Sequence, residues 1–301
     1  MRNAKKIYLG AVLGIIVIGA SLFWNLPAYA SNIINVSDSG TSLSNALASA
    51  KPGDIINIIG TIKSEAVEVP AGVTITGKSG NGKIDFSSTA SYYSGRGISI
   101  KTDGSTITDL DIYGATDNGI YIEGSDNKLI NLKVHNNKNS GVQLTKGATN
   151  NTLTSVYSYS NVDIERNSAD GFAIIYNVGP LNKLIDCTAE ENADDGYDLT
   201  CADAGIVFIR CNSINNGVSN GIKGEGDGFK LGDIGKNSIN DDGELCLQPS
   251  RHILIDCTAE GNTEVGFDGR WQTGETTMTR CISRKNDQGN YRFPNDNVVI
   301  N

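Results

Sequence analysis

The chain has 301 residues, a formal net charge of −9, six cysteines, 35 glycines and two histidines. Its length allows one large domain or two ordinary ones, and its glycine excess lacks a G-X-Y period, which excludes collagen. Acidic residues (34) outnumber basic ones (25), which argues against a general nucleic-acid surface, and two histidines leave little room for a multi-histidine metal site.

Residues 1–30 read as an export signal. Arg2, Lys5 and Lys6 form a positive start, Ile7 to Trp24 is nearly uninterrupted apolar sequence, and Ala28-Tyr29-Ala30 is an A-x-A cleavage site. An apolar run of this length is nearly enough to span a bilayer, so a retained anchor is the competing reading. Pro27, which breaks a helix just before small residues, favours cleavage. Without its three basic residues the mature chain sets 22 basic against 34 acidic residues, a formal −12. The expected product is residues 31–301 as a single secreted, monomeric domain, with no nucleic-acid partner and no stable membrane association after cleavage.

Beyond the signal, the segment Leu43–Ala50 has helical spacing and helix-start chemistry in Thr41-Ser42-Leu43-Ser44. From there the sequence is organised by recurrence. A glycine followed by an apolar residue returns at Gly97-Ile98, Gly119-Ile120, Gly141-Val142, Gly171-Phe172, Gly196-Tyr197, Gly228-Phe229 and Gly266-Phe267, spaced 22, 22, 30, 25, 32 and 38 residues apart. Between these glycines runs a second strand-like segment, such as NKLINLKVHN from Asn127, NKLIDCTAEE from Asn182 and HILIDCTAEG from His252. Short alternating segments that end in Asn, Gly or Asp predict strands and turns. Repeats of this length, without helices, predict an all-β solenoid, a right-handed parallel β-helix. A sandwich or propeller fits less well, because the spacing varies while the strand pattern holds.

Stacking the coils assigns the columns. Ile98, Ile120, Val142, Phe172, Tyr197, Phe229 and Phe267 should face inward, as should Leu110, Leu132, Val156, Cys187, Cys211, Cys257 and Cys281. The four cysteines in the second column are expected as buried thiols; Cys201 and Cys246 fall outside it and could pair. Asn137, Asn167, Asn192 and Asn262 each stand four residues before their glycine, which predicts an asparagine stack.

The same alignment gathers charge. Asp170 and Asp195 precede their glycines on neighbouring coils, and Asp194 and Asp198 share the coil of Asp195. Four carboxylates so close would raise one another's pKa unless a cation binds, and an all-oxygen cluster suits Ca2+. Lys230 on the next coil stacks over Asp198, where a lysine beside a metal could have its pKa lowered and act as a base. Asp198, Lys230 and Asp268 also fit a surface stack of alternating charge.

At these residues the sequence resembles polysaccharide lyase family 9, the calcium-dependent pectate lyases with a right-handed parallel β-helix. The matching segments are NSADGFA (Asn167–Ala173), NADDGYDL (Asn192–Leu199), GDGFKLG (Gly226–Gly232), NTEVGFD (Asn262–Asp268) and GNYRF (Gly289–Phe293), in that order. The resemblance covers about residues 160–293. It implies that Asp170, Asp194, Asp195 and Asp198 bind Ca2+ and that Lys230 is the Brønsted base. It also implies cleavage of α-1,4-polygalacturonate by β-elimination, giving 4,5-unsaturated products. Lys223, Arg251 and Arg270 are candidate binders of substrate carboxylates from their positions. Residues 232–251, with Asp241, Asp242 and Cys246, form a long insertion after the lysine coil. The competing readings are a lyase on another uronate polymer, a β-helical glycoside hydrolase, and a non-catalytic carbohydrate-binding β-helix. The lysine beside the cluster and the lack of a Gly-His-Gly segment speak against the hydrolase, which needs a protonated acid and a second carboxylate.

Overall fold

Each predicted glycine-led segment opens a short strand, and these strands pair in parallel from coil to coil. The computed structural model describes residues 31–78, 81–89, 95–163, 168–232, 251–272 and 274–301. One helix, Leu43–Ser49, lies near the start of the described chain, with the Ser42 side chain accepting the Asn45 amide as its N-cap. The described residues otherwise form two parallel sheets of 17 and nine strands, the larger beginning with Ile33–Val36 ahead of the helix, plus a two-stranded antiparallel hairpin of Val218–Ser219 and Ile222–Lys223.

The nine-stranded sheet positions the site. Its last six strands are Val142–Leu144, Phe172–Ile174, Tyr197–Asp198, Phe229–Lys230, Val265–Asp268 and Gly289–Arg292. The residue after each glycine points inward as expected: Ile98, Ile120, Val142, Phe172, Tyr197, Phe229 and Phe267 are in register and fully buried. The aromatic members stack face to face, Phe172–Tyr197 at 4.9 Å, Tyr197–Phe229 at 4.4 Å and Phe229–Phe267 at 4.9 Å between centroids. In-register stacking repeats one side-chain shape up the core, so each ring also packs on its neighbours.

The glycines themselves serve a different end from turn formation. None of the seven has a positive φ. At Gly196 a Cβ would stand 2.1 Å from Ser213 Oγ and 2.7 Å from the Gly228 carbonyl oxygen. Only a hydrogen fits where the site sheet is pressed against the Asn stack and the next coil.

The larger sheet departs from the expected single second strand. In seven successive coils the residue before the inward Leu, Val or Cys is left-handed: Asp109, Asn131, Ser155, Asp186, Arg210, Asp256 and Arg280 have φ between 51° and 56°. The strand therefore bends there, and in the later coils it splits into two three-residue pieces such as Lys183–Ile185 and Thr188–Glu190.

The asparagine stack exists with different members. Oδ1 of Asn161, Asn192, Asn216, Asn262 and Asn286 accepts the side-chain N–H of the preceding ladder residue, from Asn137 onward, at 2.8–3.0 Å. Asn167 lies outside the described residues, and the place expected for it belongs to Asn161. Insertions between the ladder and the glycine break the four-residue offset; the constant offset is from the left-handed residue immediately before each asparagine, such as Ser160 and Glu191. A second ladder runs at the start of the larger sheet, where Asn127, Asn151 and Asn182 each accept the amide of the preceding coil. Buried His252 takes the same role, with Nδ1 accepting the Ile206 amide at 3.2 Å, and burial pushes its pKa down to about 3, so it is neutral.

Cys187, Cys211 and Cys257 are buried free thiols in the predicted column, with Cys281 partly exposed at its end. Cys201 is disulfide-bonded; Cys246, the partner expected for it, lies outside the described residues, as do Asp241 and Asp242.

Candidate metal and catalytic site

The site is built from residues that flank the glycines. Each glycine amide donates to the carbonyl that precedes the next glycine: Gly141 to Asp170, Gly171 to Asp195 and Gly196 to Asp227, at 2.9–3.0 Å. The residues before the glycines are thereby stacked, and Asp170, Asp195 and Asp227 become one column of carboxylates. Their Oδ1 atoms are committed to the backbone. Asp170 Oδ1 accepts the Asp195 amide at 3.1 Å, Asp195 Oδ1 the Asp227 amide at 2.6 Å, and Asp227 Oδ1 the Val265 amide at 2.8 Å. Their Oδ2 atoms meet different partners. Asp170 Oδ2 accepts the Ser140 hydroxyl at 3.0 Å, and Asp227 Oδ2 accepts Arg270 Nη2 at 3.1 Å. Asp195 Oδ2 is buried without a hydrogen bond; Lys230 Nζ lies 3.2 Å from it as an ion pair.

Asp170, Asp194 and Asp195 each bring a carboxylate oxygen within 4.8 Å of the other two. Asp194 Oδ1 accepts the Glu225 amide at 2.6 Å. All three side chains are more than nine-tenths buried. Asp198 stands beside this triple, with Oδ1 taken by the amide and hydroxyl of Thr200 and Oδ2 3.9 Å from Lys230 Nζ.

The cost of this crowding falls on ionisation. Burial, with the charges of Asp198, Asp194 and Asp195, pushes the Asp170 carboxyl well above its ordinary range. Burial and Asp195 push Asp194 up to about 8, and burial with Asp198 and Glu225 pushes Asp195 up to about 7 against the pull of Lys230. Three buried carboxylates, one with an oxygen that accepts no hydrogen bond, form an all-oxygen donor set suited to a hard divalent cation of the Ca2+ type.

Lys230 differs from its sequence-based expectation in one respect. Burial disfavours its ammonium, but Asp195, Asp198 and Glu225 outweigh burial and hold its pKa well above the ordinary lysine value. With the protein's own charges alone, Lys230 is the cluster's counter-cation. Glu225, at 2.9 Å from Nζ, was not legible from the coil alignment: it lies beyond the hairpin excursion that separates Asn216 from Gly228. Ser140 stands in the same column before its glycine, but a serine there carries no chemical signal of its own.

Of the three proposed carboxylate binders, Arg270 reaches the edge of the cluster. Its Nε bonds Asp268 Oδ2 at 2.7 Å, and Arg292 bonds the same oxygen. These contacts hold the Asp268 carboxyl below its usual pKa against burial; Lys230 is its in-register neighbour on the adjacent strand. Lys223 is exposed in the hairpin, and Arg251 is exposed where the chain enters the strand Ile253–Ile255 of the larger sheet. Neither forms an ion pair among the described residues.

Fold and site together define a parallel β-helix with a buried acidic cluster and an adjoining lysine on the face of its smaller sheet. The chain belongs to the Pel9A-like, right-handed β-helix family, whose model matches residues 26–300, in line with the resemblance to polysaccharide lyase family 9. A pectate lyase L of Paenibacillus polymyxa (strain SC2) is 32% identical over 238 residues, covering 72% of this chain and 50% of that protein. A pectate lyase L of Dickeya chrysanthemi is 29% identical over 290 residues, covering 87% of this chain and 64% of that protein. The chain thus spans about half to two thirds of the length of these relatives. The crystal structure of pectate lyase Pel9A superposes with a TM-score of 0.71 at 25% identity, covering 83% of this chain and 68% of that one. A rhamnogalacturonan lyase, at 20% identity and a TM-score of 0.66 over 84% of this chain and 75% of that one, shares the fold.

Proposed function

We propose that the protein is a secreted pectate lyase that cleaves α-1,4-polygalacturonate by Ca2+-assisted β-elimination, with Lys230 as the base. The observation that carries this reading is the position of Lys230, stacked on Asp198 and 3.2 Å from buried Asp195, at the edge of the Asp170–Asp194–Asp195 triple. The similarity to curated pectate lyases supports the substrate.

Asp170, Asp194, Asp195 and Asp198 would hold Ca2+, which when bound supplies positive charge to a uronate carboxylate and acidifies the proton on the neighbouring C5. A cation held there would offset Asp195 and Asp198, two of the three charges that hold the Lys230 pKa up, and so would favour the free amine that accepts the C5 proton; Glu225 remains at 2.9 Å as its hydrogen-bond partner. The C–H electron pair becomes the C4–C5 double bond, and the C4–O pair leaves with the glycosidic oxygen. Asp268 is tied by Arg270 and Arg292. Residues 1–30, read as the export signal ahead of a single domain 31–301, lie outside the described residues. Among the described residues no helix is long and apolar enough to cross a membrane.

The test is incubation with polygalacturonate and Ca2+, with and without a chelator, following the ultraviolet absorbance of the unsaturated product. Chelator-sensitive absorbance is expected. New reducing ends without absorbance would replace the lyase reading by a hydrolase, and no cleavage of any uronate polymer would replace it by a binding module.

A further inference from the structure

Upstream of the acidic cluster, the column of residues before the glycines begins with an arginine. Gly97 donates to the Asn118 carbonyl at 2.9 Å and Gly119 to the Ser140 carbonyl at 3.3 Å, which continues the ladder that stacks Asp170 and Asp195. Arg96, Asn118, Ser140 and Asp170 therefore follow one another coil by coil, and three coil spacings set Arg96 ~14 Å from Asp170 along the helix axis.

The Arg96 guanidinium is oriented but not saturated. Its Cζ lies 3.4 Å from the centroid of the Tyr121 ring, and Tyr121 is fully buried with its hydroxyl donating to Glu123 at 2.8 Å. A planar cation resting on a ring that cannot move is held in one plane. Its Nε is 3.4 Å from Asp117 Oδ2, yet neither atom has a hydrogen bond; Asp117 instead accepts Asn139 Nδ2 through Oδ1 at 3.0 Å. The Arg96 side chain is still 29% exposed. The other charges nearby, Glu123 and Lys146, oppose each other at 3.8 Å. Between Arg96 and the acidic cluster both columns that flank the inward residues are uncharged: Asn118 and Ser140 in one, Gln143 and Ala173 in the other.

We propose that Arg96 is a distal subsite that binds a carboxylate of an extended polyuronate whose reacting unit sits at Asp170–Lys230. The inference rests on the lyase reading above and deepens it. The strip offers an anionic polymer two anchoring points on one sheet face, the acidic cluster and a stacked guanidinium; between them Asn118, Ser140 and Ala173 are buried and Gln143 is partly exposed, so no charge intervenes in either column. A guanidinium fixed in plane presents paired donors that match a carboxylate. A sugar unit spans about the length of one coil, so a short oligomer seated at the cluster ends before Arg96 and a long one reaches it.

The experiment uses the full chain carrying Lys230→Ala, so that ligand survives, and measures calorimetric binding of digalacturonate and octagalacturonate in Ca2+. Arg96→Gln should weaken the octamer about tenfold and leave the dimer unchanged. Arg96→Lys should restore part of the loss, and Tyr121→Phe, which keeps the platform, should cost less than about twofold. In the enzyme with Lys230 intact, Arg96→Gln should raise KM for the polymer with kcat unchanged. Equal weakening of dimer and octamer, or no weakening, would overturn the subsite, as would a fall in melting temperature that accounts for both. An unsubstituted enzyme without lyase activity, but with Arg96-dependent octamer binding, would defeat the lyase reading alone.

Discussion

Lys230 Nζ lies 3.2 Å from Oδ2 of Asp195, a carboxylate with no exposure to solvent. The same carboxylate holds the next coil in place through Oδ1. Fold and site thus share a residue, and the site's charge is written into the stacking of the coils.

Removal of the lysine separates its two duties. Lys230→Ala should lower the rate of unsaturated-product formation by about 10²–10⁴-fold, the usual worth of a positioned base. Because it also removes the counter-cation of buried Asp195, its melting temperature without Ca2+ should fall, and added Ca2+ should recover most of the loss. Full activity in the variant would exclude Lys230 as the base.

Stability should depend on pH in a direction set by the raised carboxyls. Asp194, Asp195 and Asp227 are pushed up to about 8, about 7 and about 9 from an unfolded value of 3.8. A carboxyl raised in the fold favours the fold while protonated: its contribution is complete below the unfolded value and is lost as pH rises through the folded one. The ion-free protein should therefore lose stability between about pH 4 and pH 9, and Ca2+, which binds the ionised form, should raise the melting temperature more at the upper end. Equal increments at both ends, measured by calorimetry with Ca2+ and with chelator, would contradict this.

The asparagine ladder makes a separate prediction away from the chemistry. Oδ1 of Asn192 accepts both the amide and the side-chain N–H of Asn161, and its own Nδ2 donates to Asn216. Asn192→Ala leaves buried donors without an acceptor and should cost at least ~2 kcal/mol in denaturant unfolding. Asn150, whose side chain pairs at the surface with Asp126 and whose backbone is left-handed at φ 54°, should tolerate glycine, which keeps that conformation open, with a much smaller loss.

The thiol column should be inert in the native state. Hydrogen bonding to Cys211 pushes the Cys257 thiol up to about 12, and burial raises Cys211 as well; the thiolate is the reactive form. Cys187, Cys211 and Cys257 should resist a thiol-specific reagent until the chain is unfolded. Rapid labelling of the native protein at these positions would mean that the coils open locally.

Much of the acidic site was legible because its members keep a fixed offset from a glycine that every coil repeats. Asp170 and Asp195 stand one before it, Asp198 and Lys230 two after, and parallel in-register pairing turns those offsets into neighbours. The asparagine ladder was read with the wrong offset, since insertions fall between ladder and glycine. Glu225 and the left-handed bend before Cys187 had no such marker: one depends on how an excursion returns to the sheet, the other on a backbone angle that Asp, Asn, Ser and Arg all adopt here.

The sequence by itself determined the coil architecture, the inward columns and the crowding of Asp170, Asp194, Asp195 and Asp198, because strand alternation and coil stacking act on local offsets. Only the tertiary structure decided which oxygen of Asp170, Asp195 and Asp227 is spent on the backbone and which meets a side chain, Ser140, Lys230 or Arg270. It alone decided that Lys230 answers to Glu225 as well as Asp195, and that Arg270 is drawn to Asp227 and Asp268. Those outcomes turn on distances of a few ångströms between side chains on different coils, where burial and charge compete, and offset along the chain carries no measure of either.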